Sequence, residues 1–191
     1  MPYEFTQAGL DRQAEVIRFM DEHIYPNETE FYRQYHAGGD HSYPPILDEL
    51  KAEARKRGLW NLFLPHLREG DPGTKLSNLD YAPISEQLGK VTFSSEVLNC
   101  NAPDTGNMEI LNMFGNEGLR RTWLTPLLNG EVRSAFAMKE PAVGRSSKAM
   151  RRSNSAGERV APAAPEIWTA WVFSAPQSDR TRWTGVPNGY S

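Results

Sequence analysis

The sequence predicts a mainly α-helical fold, a bundle of amphipathic helices followed by one β-strand and a tail of different character. Three observations carry this. Apolar residues recur at three- and four-residue spacing in successive windows between Thr6 and Leu128. Helix start signals (Pro44-Pro45, Ser77 with Asp80, Asn116) precede those windows, and Gly58, Gly89, Gly115 and Gly130 follow them. Strand-like alternation replaces the helical period only at Val132, Phe136 and Met138, and leucine, frequent up to Leu128, is absent from Arg145 to Ser191.

The totals bound the problem. A chain of 191 residues suffices for one domain, or for a domain with part of another, and its 39% hydrophobic content supports a sizeable core. A formal charge of −3 speaks against a nucleic-acid or anionic-membrane partner for the chain as a whole. Cys100 is the one cysteine, so no internal disulfide can form. The N-terminus lacks a basic region leading into an apolar run, and no stretch approaches about 18 consecutive apolar residues. A cytoplasmic protein with no membrane span is expected.

From Thr6 to His36, Leu10, Ala14, Ile17 and Ile24 mark the apolar face of a long helix. Pro26 breaks or kinks it, since proline removes an amide donor and clashes with the preceding turn. Glu28, Phe31, Tyr32 and Tyr35 continue as a second helical piece, and residues 36–41 read as a loop. The four histidines, His23, His36, His41 and His66, lack the i, i+4 spacing of a helical zinc motif. They are read as solvated, and no metal site is expected.

Pro44-Pro45 opens the next helix, with Ile46, Leu47, Leu50 and Ala54 on its apolar face. Lys51, Arg55, Lys56 and Arg57 load its C-terminal half with positive charge and Gly58 takes the left-handed cap. A solvated helix face explains those cations better than a phosphate patch. The segment 59–65 reads as core filler under a loop that turns at Asp71-Pro72-Gly73. Ser77 caps a third helix carrying Tyr81, Ile84, Ser85 and Leu88 up to Gly89, and Val91 to Cys100 predicts another. After the 101–106 loop, Met108, Leu111 and Phe114 define one helix and Leu119, Trp123 and Leu127 the next, before the strand from Val132 to Met138.

Beyond Gly144 the periodicity stops. Residues 145–191 are rich in Arg, Ser, Ala, Pro and Gly, and only Ile167 to Phe173 has strand character, with no evident partner. Such a composition rarely recovers its ordering entropy, so weak order or disorder is expected. The short run of Arg145, Lys148, Arg151 and Arg152 reads as part of a solvated tail in preference to a nucleic-acid arm. The abruptness of the break also fits translation in a shifted frame after about Ala142 to Arg145, which the underlying nucleotides would reveal.

The stretch from Asn99 to Pro141 is the most specific in the chain. Cys100-Asn101-Ala102-Pro103-Asp104-Thr105-Gly106-Asn107-Met108-Glu109, then Phe114-Gly115, Trp123-Leu124, Pro126-Leu127-Leu128, Gly130-Glu131 and Phe136-Ala137-Met138 together resemble the acyl-CoA dehydrogenase family, where its N-terminal helical domain meets its middle β-domain. The resemblance implies a helical domain over residues 1–131, the first strand of the β-domain over 132–144, and an unrelated tail over 145–191. It implies FAD as cofactor, with Phe136, Met138, Lys139 and Gly144 at the positions that face it; Lys139 stands where the family has threonine and Arg145 where it has serine. It also implies an acyl-CoA substrate, with Asn99, Cys100 and Pro103 as candidates for its pocket. Dehydrogenation needs a base to take the α-proton while hydride leaves the β-carbon for flavin. In the family that base is a glutamate of a C-terminal helical domain, which lies beyond this chain, so no catalytic residue is assigned and no turnover by the chain alone is expected. Cys100 lacks a His or basic neighbour in sequence and reads as a buried thiol in a helix, not a nucleophile. A non-catalytic helical module that self-associates through an exposed apolar face is the alternative.

Overall fold

The computed structural model describes residues 4–38 and 42–134, together with the backbone of Ala175–Pro176. The chain divides into two compact units, Met1–Glu131 and Val132–Ser191. The first is built of helices, as expected: α1 (Gln7–Phe19), α2 (Glu28–Ala37), α3 (Ile46–Lys56), α4 (Asn78–Leu88), a single turn α5 (Ser94–Val97), α6 (Asp104–Phe114), and the short α7 (Glu117–Leu119) and α8 (Thr125–Leu128).

The first α-helix gives way ahead of Pro26 and a second begins at Glu28, as expected, but the chain between them stays helical. A π turn at Met20–Ile24, closed by the Tyr25 amide on the Met20 carbonyl, and a 3₁₀ turn at Tyr25–Asn27 carry α1 into α2. Widening the helix ahead of the proline gives its ring room against the preceding turn and spares the amide it lacks. Of the expected stripe Leu10, Ala14, Ile17 and Ile24, only Ile24 is buried. Val16, Phe19, Met20 and Ile24 are at most 1% exposed, whereas Leu10 and Ile17 are 41% and 39% exposed. The inward face starts at Gly9, which has no side chain to register as apolar, so the visible stripe pointed elsewhere.

Gly9 is there because α1 sits on α4 through one carboxylate. Thr6 caps α1 by accepting from the Gly9 amide at 3.0 Å, and Ser77 caps α4 by accepting from the Asp80 amide at 3.1 Å. Asp80, buried, accepts from the Thr6 amide at 2.8 Å, the Thr6 hydroxyl at 3.0 Å and the Ser77 hydroxyl at 2.8 Å. Two helix starts thus share one anion, which suits their positive dipole ends. A Cβ at Gly9 would lie 2.5 Å from the Asp80 carboxylate.

The Thr6 amide, then the Ser77 hydroxyl, hold the Asp80 carboxyl below its ordinary value of 3.8. A lowered carboxyl pKa contributes stability that is complete above the unfolded value and is lost as pH falls through the folded one. The melting-temperature gap between the natural protein and Asp80→Asn is therefore expected to be constant above about pH 5 and to close as the pH drops below about 4. A gap that widens on acidification would show that the carboxylate is not what holds the two starts together.

Around this pair, Leu47, Leu50 and Ala54 of α3 are buried, and the segment after it fills the core as read from sequence, with Leu59, Leu62 and Leu64 at most 1% exposed. Gly58 takes the positive φ of a left-handed cap, +69°. Phe31 of α2 stacks on Phe93, which precedes α5, with centroids 4.0 Å apart. The helix read from Val91 to Cys100 shrinks to the one turn of α5. In α6 the buried face is Asp104, Asn107, Met108 and Leu111; Phe114 is 77% exposed. The Asn116 side chain accepts from the Leu119 amide at 2.9 Å, the cap expected there. A π turn at Arg120–Leu124 then shifts the helical phase, so Leu124, Leu127 and Leu128 are buried while Trp123 is half-buried.

In the second unit the described strand β1 is Val132–Arg133, shorter than the Val132 to Met138 reading, whose remainder from residue 135 lies outside the described residues. It pairs antiparallel with β2 (Ala175–Pro176) in the register Val132↔Pro176, Arg133↔Ala175. The tail therefore does supply β1 with a partner. Sequence pattern missed it because a two-residue pairing leaves no alternation to read. The expectation of disorder over 145–191, the Ile167 to Phe173 segment and the basic run at 145–152 lie otherwise outside the described residues.

Candidate functional site

The turn leaving α5 organises the first unit. Asn99 has φ +55°, a conformation that asparagine tolerates better than most side chains, and this turns the chain into Cys100 and the 101–103 segment. Facing it across a narrow cleft is α4. Tyr81, Ser85, Leu88, Val91, Ser95 and Cys100 line this cleft, whose volume is about 280 Å³.

Cys100 is buried, as expected, but it lies in the turn after α5 instead of in a helix. Its Sγ is 3.3 Å from the Leu98 carbonyl oxygen, and the Tyr81 hydroxyl and the Leu62 and Phe63 backbone also reach it. Burial pushes the thiol up to about 11 and raises the Tyr81 phenol as well. Both groups are protonated near neutral pH. The cleft thus offers mostly neutral hydroxyl and thiol groups, from Tyr81, Ser85, Thr92, Ser95 and Cys100, beside Leu88 and Val91, with no base among its lining residues.

Asn99 uses its amide inside the fold. Nδ2 donates to Asn61 Oδ1 at 2.7 Å and to the Leu127 carbonyl at 3.0 Å. Asn61, itself at φ +53°, donates from Nδ2 to the Pro72 carbonyl at 2.8 Å and the Leu128 carbonyl at 2.9 Å, and the Trp60 indole donates to Leu128 at 2.7 Å. Two asparagines and a tryptophan thereby satisfy the C-terminal carbonyls of α8, which a helix cannot pair internally. Pro103 follows a cis peptide bond and stands half-buried at the start of α6, outside the residues that line the cleft.

A second support joins α3 to the same turn. Lys51, 5% exposed, places Nζ 3.1 Å from Glu96 Oε1 and 3.1 Å from the Tyr43 hydroxyl, and Glu96 Oε2 accepts from Asn101 Nδ2 at 3.3 Å. A third lies behind α6. Buried Arg120 donates to Asp71 Oδ2 at 2.9 Å and to the Asn112 side-chain oxygen at 2.7 Å.

The structure therefore brings Cys100 into the cleft, directs the Asn99 amide into the core and sets Pro103 at a helix start. Phe136, Met138, Lys139 and Gly144 lie outside the described residues. Sequence reading passed over Asn61, although a lone amide within the apolar Leu59 to Pro65 run was the available signal.

The sequence profile described as the acyl-CoA dehydrogenase N-terminal domain matches residues 8–131. This chain belongs to the acyl-CoA dehydrogenase family. The family's probable acyl-CoA dehydrogenase FadE2 of Mycobacterium tuberculosis is 47% identical over 149 residues, which cover 76% of this chain and 35% of FadE2. Acyl-CoA dehydrogenase family member 11 of Gallus gallus is 44% identical over 145 residues, 74% of this chain and 18% of that protein. A solved chain from Mycobacterium abscessus, assigned to the acyl-CoA dehydrogenases, superposes with a TM-score of 0.65 at 42% identity, covering 78% of this chain and 38% of its own. The chain thus spans about a third of FadE2 and less than a fifth of the chicken protein. It is the family's N-terminal helical domain that these residues form, and no helix among the described ones is long and apolar enough to cross a membrane.

Proposed function

We propose that residues 1–131 act as the N-terminal helical domain of a cytoplasmic, FAD-dependent acyl-CoA dehydrogenase, with 132–144 opening its β-domain and 145–191 outside it, and that the chain alone does not turn over. The family match over residues 8–131 is the observation that carries this reading. The cleft beside Cys100 is consistent with the absence of turnover, because protonated Tyr81 and Cys100 leave no group there to remove an α-proton. Asn99, Cys100 and Pro103 then divide the work: Cys100 borders the acyl group, Asn99 fixes the turn that presents it, and Pro103 fixes the start of α6.

FAD would supply the hydride acceptor when bound. The clefts at Cys100 and at Trp60, of about 280 and 380 Å³, are at the low end for small-molecule sites and do not by themselves enclose a dinucleotide. Its assignment to Phe136, Met138, Lys139 and Gly144 rests on the sequence resemblance.

Two preparations test the proposal. The chain alone, supplied with FAD, acyl-CoA thioesters and an electron-accepting dye, is expected to stay colourless and to reduce no dye. A chimera in which residues 1–131 replace the matching part of FadE2 is expected to be yellow and to reduce dye on adding acyl-CoA. A folded chimera without activity, or turnover by the chain alone, would overturn the reading.

An exposed face favours the accompanying reading of a self-associating module. Ile110, Met113 and Phe114 at the end of α6 are 46%, 57% and 77% exposed, an apolar cluster of the kind that marks contact surfaces. Sedimentation is expected to show concentration-dependent association that Phe114→Glu weakens about tenfold, the scale of burying one aromatic ring. A chain that stays monomeric at high concentration would remove this reading and leave the enzymatic one untouched.

A further inference from the structure

A second cleft in the helical unit, of about 380 Å³, serves nothing described so far. Arg12, Arg55, Trp60, Thr74 and Asn129 line it, with Gly58 at its edge. Two cations border it and no carboxylate does, in a chain that has 24 acidic residues against 21 basic ones. Among the described residues neither arginine forms an ion pair, whereas Arg18, Arg33, Arg57, Arg68 and Arg120 all do.

Arg55 is held in place before any ligand arrives. Its guanidinium lies 3.9 Å from the centre of the Trp60 ring and donates to the Asn129 carbonyl, while Trp60 is itself anchored through its indole to Leu128. Glu131 attracts it only at longer range. Gly130 keeps this stack possible, since a Cβ there would come within 2.8 Å of both Arg55 and Trp60. Arg12 reaches in from α1, with one long contact of 3.5 Å to the Gly58 carbonyl. Thr74 of the same lining keeps Oγ1 buried with no hydrogen-bond partner, and its loop is fixed by the Asn61 bond to the Pro72 carbonyl. A buried hydroxyl without a partner is costly, and its residue lines the same cleft as the two guanidinium groups.

We propose that the cleft between Arg12, Arg55 and Thr74 binds the phosphate group of a small phosphate monoester. Planar guanidinium groups pair with a tetrahedral dianion through two parallel hydrogen bonds each, and the threonine hydroxyl adds a donor once it turns toward the ligand. Stacking on Trp60 lowers the entropy lost when Arg55 engages the ligand. The cleft is larger than a phosphate, so an organic group can remain attached and lie along the Pro72-Gly73 wall.

The test follows the indole N–H resonance of Trp60 in the full chain, assigned by its loss in Trp60→Phe, during titration with phenyl phosphate at constant ionic strength. A saturable shift is expected. Arg12→Gln should weaken the apparent affinity about tenfold and Thr74→Val about threefold, as loss of a charged and of a neutral donor would, with melting temperatures held close to that of the natural protein. Neither variant removes a core contact, so folding does not stand in for binding. A shift that rises linearly and is matched by chloride overturns the site, as does an affinity unchanged by Arg12→Gln. Benzoate binding as tightly as phenyl phosphate overturns the assignment to phosphate.

Discussion

Replacing Asn61 by alanine is expected to destabilise the helical unit by about 3 kcal/mol, read as a fall in the urea midpoint at constant slope. Three hydrogen bonds disappear at once, to the Pro72 and Leu128 carbonyls and from the Asn99 amide. In a site this buried each is worth roughly 0.5–1.5 kcal/mol, and alanine at φ +53° adds roughly 1–2 kcal/mol of backbone cost. Two further substitutions separate these terms. Asn61→Gly relieves the backbone and should recover about 1 kcal/mol of the loss. Asn61→Asp keeps the shape but sets carboxylate oxygens against two carbonyl oxygens, so it should be at least as damaging as alanine. If Asn61→Ala lies within about 1 kcal/mol of the natural protein, the junction is not what holds the Cys100 turn to the end of α8.

That junction also shows where the sequence was readable and where it was not. Helices with strong caps and large apolar faces were legible, because α3 with Pro45 and Gly58, and α4 with Ser77, satisfy local rules that need no knowledge of neighbours. The inward face of α1 was not, because it is set by Gly9 approaching Asp80, a contact 71 positions away in the chain that no periodicity encodes. The π turns ahead of Pro26 and at Arg120–Leu124 insert a residue into the helical count, which rotates everything after them and misplaces a stripe drawn at regular spacing. Cys100 was legible as a buried thiol from its missing partners in sequence. Its cleft was not, since Tyr81 and Ser85 read as one more helix face until α5 packs opposite them.

Glu96→Ala is expected to cost about 3 kcal/mol, and the informative result is its dependence on residue 51. The Lys51 side chain is 7% exposed and its Nζ sits 3.1 Å from Glu96. Removing the carboxylate leaves a desolvated ammonium with weaker support from the Tyr43 hydroxyl and from the Tyr43 ring, 5.1 Å away. Lys51→Met removes that charge while keeping most of the volume, so the double variant Lys51→Met/Glu96→Ala should be more stable than Glu96→Ala alone. A coupling of about 1.5 kcal/mol or more across the double-mutant cycle is expected. Simple additivity would mean that water reaches the pair and screens it. The same carboxylate holds Asn101 through its other oxygen, so Glu96→Ala also frees the segment entering α6. Faster amide exchange at residues 101–106 in Glu96→Ala, but not in Lys51→Met, would separate that positioning role from the charge balance. The turn that carries Cys100 is then fixed from two sides, by an uncharged grip on α8 and by a charged one on α3, and loosening either should open the cleft before it unfolds the bundle.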